Sequence, residues 1–190
     1  MMKRLVEANR SVRRFKQNPA PTPACLEELV DLARLTPSAN NLQPLRYVLV
    51  QEEGKRDQVF SCLAWAAHLT TWEGPQPNER PTAYIIILSD PRLNKNPGID
   101  VGIVTQTILL GARERGYGGC ALGSVNRDAL RRCLDLPVHL NIELAIALGA
   151  PGEEIRLCEV KDGDTRYRRD ENDAHIVPKR PLTELILKSF

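Results

Sequence analysis

The stretch that decides the fold is Tyr84-Ile85-Ile86-Ile87-Leu88, followed at once by Ser89-Asp90-Pro91. Five consecutive apolar residues, four of them β-branched or aromatic, with turn chemistry behind them, read as a strand covered on both faces. A second strand follows from Ile142-Glu143-Leu144-Ala145-Ile146-Ala147-Leu148, closed by Gly149-Ala150-Pro151-Gly152, and a third from Arg46-Tyr47-Val48-Leu49-Val50. Between the first two, residues 100–113 are apolar on nearly every face (Val101, Ile103, Val104, Ile108, Leu109, Leu110, Ala112), which predicts a buried central helix.

Working outward, Thr22 caps a predicted helix with Pro23 at its first position. Cys25, Leu26, Leu29, Val30, Leu32, Ala33 and Leu35 recur along it at helical spacing, and Thr36-Pro37 ends it. Residues 57–69 read as a further helix, Asn126 or Ser124 caps one that reaches Leu134, and a short one starts at Thr183. Residues 71–81, with three prolines and a glycine, read as a loop. Strands and helices do not alternate strictly. The expectation is therefore one α+β domain over residues 1–190, with a central mixed or antiparallel sheet wrapped by helices.

A chain of 190 residues, 42 % hydrophobic, has the volume for a full core. Its net charge of +2 sets up no global field, and its basic clusters lack interleaved aromatics, so a nucleic-acid partner is not expected. Five cysteines (25, 62, 120, 133, 158) and three histidines (68, 139, 175) show no zinc or iron–sulfur spacing, so no metal is expected. The N-terminus lacks a secretory pattern and no apolar run can span a bilayer; the expectation is a soluble, cytoplasmic protein with no membrane partner. Gly116-Tyr117-Gly118-Gly119-Cys120-Ala121 satisfies G-x-G-x-x-A, yet it follows a helix rather than a strand. It reads as a helix C-cap and tight turn, not as a dinucleotide fingerprint.

Four segments carry the chemistry. Asn9-Arg10-Ser11-Val12-Arg13-Arg14-Phe15 places guanidiniums and a hydroxyl where a phosphate would be held. Pro37-Ser38-Ala39-Asn40-Asn41-Leu42-Gln43-Pro44 is a loop of small and amide-bearing residues suited to a flat ring. The glycine-rich 116–124 segment allows close backbone approach. Residues 167–172 and Val177-Pro178-Lys179-Arg180-Pro181-Leu182 form a basic C-terminal element.

In this order the four resemble the nitroreductase family over nearly the whole chain. Asn9 stands where the family more often has a first arginine, and Leu45 where it has tryptophan. The resemblance implies a nitroreductase-like fold, FMN as cofactor, NADH or NADPH as electron donor and a homodimer with its FMN sites at the interface. Arg10 and Ser11 would hold the flavin phosphate, and Arg13 the ribityl chain or the pyrimidine edge. Pro37, Ser38 and Ala39 would approach the flavin of the partner subunit, with Asn41 and Gln43 bonding polar edges or fixing the loop. The backbone of Ala121, Leu122 and Gly123 would pass the reactive nitrogen, and Lys179 or Arg180 would return to the phosphate. The flavin would carry the chemistry, no side chain serving as catalyst, and electrons would pass to a nitroaromatic, quinone or similar acceptor by a ping-pong route.

Trp65, His68 and Trp72 are candidates to bind that acceptor, with core packing the competing role for Trp65. A flavin- or small-ligand-binding protein without turnover is the alternative function.

Overall fold

The computed structural model describes all residues, 1–190. The chain forms two compact units: a larger one of Met1–Trp65 and Gly74–Gly152, and a smaller one of Ala66–Glu73 and Glu153–Phe190. The smaller unit gathers a short excursion and the C-terminal segment, whose charged sequence gave no strand signal.

The larger unit runs α1 (Met2–Ala8), β1 (Phe15–Lys16), α2 (Pro23–Arg34), β2 (Leu45–Val50), α3 (Glu53–Ser61), β3 (Ala83–Ser89), α4 (Gly98–Glu114), β4 (Gly118–Leu122), α5 (Arg127–Cys133) and β5 (Asn141–Pro151). Strand β3 pairs with β2 and β5, and β5 also pairs with β4 and β1, every pairing antiparallel. The uniformly apolar β3 is buried from end to end. Its odd positions Ala83, Ile85 and Ile87 meet Leu26, Leu29 and Ala33 of α2 and Val104, Ile108 and Ala112 of α4. Alternation sends Tyr84, Ile86 and Leu88 to the opposite face, also buried. Each such aliphatic side chain contributes about 1.5–3 kcal/mol of transfer free energy.

The expected caps are present. Thr22 Oγ1 accepts from the Cys25 amide at 3.1 Å, and Asn126 Oδ1 from the Ala129 amide at 3.1 Å. Helix α4 ends as its glycine predicts: Gly116 takes φ +83°, while Gly116 and Tyr117 donate back to Arg113 O and Ala112 O.

Three expectations are corrected. The helix placed over 57–69 instead spans Glu53–Ser61. Beyond it Leu63 bridges Val125, the Ala64 amide donates to Ser124 O, and Ala66 sits at φ +40°, so pairing with the 124–125 segment takes the chain out of the helix. The glycines read as a turn form strand β4, since bare backbone there packs closer than any side chain permits. Helix α4 is not covered all round, because Ile99 is 76 % exposed and Ile103, Leu109 and Leu110 are partly buried.

The smaller unit holds β6 (Ile155–Glu159), β7 (Arg168–Arg169), β8 (His175–Lys179) and the four-residue α6 (Leu182–Leu185). β8 pairs parallel with β6 and antiparallel with β7. Arg169 anchors this unit, donating to the buried Glu153 carboxylate at 2.7 Å and lying over the Trp72 ring at 5.5 Å. No helix of the chain is long and apolar enough to cross a membrane.

A Cβ at Gly119 would stand 2.7 Å from Ala147 O and from a Leu109 methyl, so Gly119→Ala should destabilise the chain by about 1–3 kcal/mol. Urea unfolding of the variant against the parent measures this; an unchanged midpoint would show that β4 can move away from β5.

Candidate functional site

The N-terminal basic element is held by backbone pairing. Ser11 forms a bridge with Gly119, the Val12 amide donates to Gly119 O at 2.9 Å, and the Gly152 amide donates to Arg14 O at 2.8 Å. Val12 and Phe15 point into the core at 4 % and 2 % exposure, which fixes where their polar neighbours lie. Gly118 is required here, since a Cβ on it would come within 2.7 Å of Val12. Arg10 is partly buried, its Nη2 donating to Val6 O at the end of α1 at 2.7 Å. Its Nε is buried and has no partner. Ser11 is exposed, whereas Arg13 is buried and donates from Nη1 to Ser11 O at 3.3 Å. Two residues past the bridge, Ala121 is exposed, Leu122 turns inward, and Gly123 has open space where a side chain would stand. Two of the four predicted segments, more than a hundred residues apart, therefore meet along β4.

The 37–44 loop is braced from within. Asn40, Asn41 and Gln43 occupy the left-handed region at φ 49°, 54° and 48°, which asparagine accepts more readily than most residues. Ser38 Oγ accepts from the Gln43 amide at 3.0 Å, Gln43 Nε2 donates to Asn41 O at 3.2 Å, and Arg46 Nη1 donates to Gln43 O at 3.1 Å. The Gln43 side chain thus makes a loop-fixing contact, to which Asn41 contributes its backbone carbonyl.

The loop is also tied to the core. The Ala39 amide donates to Asp100 Oδ1 at 2.9 Å. Asp100 lies in the first turn of α4 and is 2 % exposed, while its Oδ2 is buried without a partner. Thr36, Pro37, Ser38, Gln43, Tyr47 and Asp100 border a half-open cavity of about 210 Å³. Burial pushes the Tyr47 phenol up to about 12, the neighbouring Arg46 pulling the other way, so this hydroxyl remains a donor at physiological pH. Sequence reasoning missed Asp100, Arg46 and Tyr47. The available signal was a lone carboxylate opening an otherwise apolar helix.

The remaining predicted residues make local contacts of their own. Trp65, in the larger unit, packs 5.8 Å from the Phe60 ring and against Gly74. In the smaller unit His68 meets the Tyr167 ring edge-on at 4.9 Å, and Trp72 lies under Arg169. Lys179 ends β8, and Arg180 donates to Glu184 at 2.9 Å. The neighbouring charge runs have local duties too: Arg131 bonds Pro137 O and Leu140 O, and Arg166 pairs with Asp164.

Replacing Asp100 by Ala leaves the Ala39 amide without its buried acceptor, a loss of about 1–3 kcal/mol. Hydrogen exchange over 37–44 should accelerate in Asp100→Ala and stay close to the parent in Asp100→Asn, which keeps an oxygen at Oδ1. Unchanged protection in Asp100→Ala would mean that the loop's internal bonds suffice.

Comparison with known proteins identifies the family and the fold. The model of the Nitroreductase family covers residues 6–150, which is nearly the whole span of the larger unit. A protein of Archaeoglobus fulgidus, named for both NADH dehydrogenase and NAD(P)H nitroreductase, is 28 % identical over 167 residues, covering 84 % of this chain and 90 % of its own. Among solved structures, a nitroreductase family protein from Streptococcus pneumoniae superposes with a TM-score of 0.71 at 17 % identity, with full coverage of both chains. A protein from Desulfovibrio desulfuricans, crystallised in complex with FMN, gives 0.70 at 22 % identity over 98 % of this chain and 95 % of its own. With the family model matched over residues 6–150, the chain belongs to the nitroreductase family of oxidoreductases.

Proposed function

We propose that this chain is an FMN-dependent oxidoreductase that takes electrons from NADH or NADPH and delivers them to an electron-poor small molecule such as a nitroaromatic or a quinone. The observation that carries the reading is the pairing of Ser11 and Val12 with Gly119, which lays Arg10, Ser11 and Arg13 beside bare glycine backbone. FMN fits these residues. The buried, unpartnered Arg10 Nε and the exposed Ser11 hydroxyl are donors suited to a phosphate, and the open backbone at Gly123 leaves room for a flat ring.

Bound flavin supplies the two-electron chemistry that no side chain of the chain can perform. The residues hold and polarise. Arg10 and Ser11 would hold the phosphate, and the Arg13 guanidinium would serve the ribityl chain or the pyrimidine edge, where it would favour negative charge. The backbone of Ala121, Leu122 and Gly123 would approach the ring. Pro37, Ser38 and Ala39 serve the flavin of a second copy, held in place through Asp100 and the Ser38–Gln43 bond. Leu42 in that loop, Leu35 just before it and Ile99 next to Asp100, at 41 %, 65 % and 76 % exposure, favour burial against a second copy as a homodimer.

The test is the visible spectrum of the purified protein, recorded anaerobically before and after NADH or NADPH. Flavin bands that bleach with either donor and return on adding a quinone are expected, with parallel double-reciprocal lines for the two substrates. A protein that stays colourless after incubation with FMN would overturn the reading, and one that binds FMN without bleaching would be a carrier. Arg10→Ala with Arg13→Ala should weaken FMN binding about 100- to 10,000-fold, two charge-assisted bonds being lost, with the fold intact by circular dichroism.

A further inference from the structure

A second polar cavity, of about 60 Å³, opens in the larger unit among Gln17, Arg56, Asp57, Phe60, Arg80 and Tyr84. It shares no lining residue with the cavity at Asp100. Three of its lining residues carry a buried donor with no partner: Arg56 Nε, Arg80 Nε and the Tyr84 hydroxyl. Tyr84 is 1 % exposed, in the middle of the sheet, where an unmade hydrogen bond is costly. Burial keeps its phenol protonated far above the physiological range, with Asp57 adding to that effect and the Arg80 and Arg56 guanidiniums opposing it.

The two guanidiniums are held differently. Arg80 lies 4.0 Å over the Phe60 ring and donates from Nη1 to Asp57 at 3.1 Å, so its plane is set. Arg56 makes a single long hydrogen bond, 3.4 Å to Pro81 O. Asp57 and Glu53 also line the cavity; both are exposed to solvent, and Asp57 is paired with Arg80. Buried donors with no acceptor, framed by two guanidiniums, are complementary to an oxyanion. The flat fork of a guanidinium suits a planar carboxylate best.

An adjoining cavity of about 310 Å³ shares Gln17 and Arg56 and is walled by Ala20, Pro21, Pro23 and Gln51. It offers an open recess of mixed polar and apolar lining next to the donors, its apolar wall being Ala20, Pro21 and Pro23. We propose that Arg56, Arg80 and Tyr84 form a binding site for the carboxylate of a small organic acid, whose carbon skeleton lies along Pro21 and Pro23. The site is independent of the flavin reading.

The probe is sodium butyrate, titrated at constant ionic strength into protein carrying tyrosine labelled with ¹³C at Cζ. The chain has four tyrosines, and Tyr84→Phe identifies the signal of interest. A saturable shift of the Tyr84 resonance is expected, weakened about 10- to 100-fold in Arg56→Gln, and absent with butyramide, which has the same skeleton without the charge. Tyr84→Phe, which removes the unmet hydroxyl, should match or exceed the parent's melting temperature while binding butyrate more weakly by calorimetry. No saturable shift, an equal response to butyramide, or undiminished affinity in Arg56→Gln would overturn the proposal. So would saturation by inorganic phosphate alone, which would place a tetrahedral anion there instead.

Discussion

Strand β5 is the constraint on which the remaining architecture depends. Its eleven residues carry three partners, β1, β3 and β4, and Ala145 to Leu148 are fully buried between them. Buried backbone amides and carbonyls must be paired, so each partner is drawn into register against the same strand. Through β4 that register reaches Ser11 and Val12, and hence Arg10 and Arg13. Through β3 it reaches β2 and the 37–44 loop that enters β2. The basic element and the amide-rich loop are thus positioned by one set of backbone bonds. Gly149 shows how tight the packing is: a Cβ there would meet Phe15 and Thr82 at 2.9 Å.

Asp100 is the complementary case, a charge-bearing group in a place built for apolar ones. Its carboxyl is buried with only Oδ1 satisfied, an arrangement that costs stability. Two features offset that cost. It sits in the first turn of a seventeen-residue helix, where the unpaired amides favour an anion, and it holds the Ala39 amide. What this maintains is a loop with three non-glycine residues at positive φ, each a conformation that relaxes unless its surroundings hold it. Strain at the loop and the half-met carboxylate are therefore one feature, and both lie beside the cavity at the start of α4.

Local signals in the sequence were legible where the decisive physics is local. The Thr22 and Asn126 caps, the Gly116 terminus of α4 and the apolar run of β3 each depend on residues within a few positions, and each stands as read. The failures share a different cause. Helix α3 gives way at Cys62 because Leu63 and Ala64 pair with residues some sixty positions later. Strand β4 reads as a turn because glycines signal flexibility locally, while their use here is close packing against β5 and Val12. The β6–β8 sheet was invisible because its charged residues neutralise one another at short range, as Arg156 does with Glu154. For the site, the residue types were readable, but not that Arg10 to Arg13 lie against Gly119, nor that Asp100 holds the loop.

The hydrogen-bond donors that line both cavities, guanidiniums and phenols, share one property, and it bears on how such a site works. Guanidiniums stay protonated at any pH a fold survives, and burial keeps the Tyr47 and Tyr84 phenols protonated as well. None of the three histidines lines either cavity. The donors the protein offers are therefore constant across the physiological range, and they are fixed in place by the sheet rather than by side-chain rearrangement. Chemistry built on such a frame needs no proton switch in the protein.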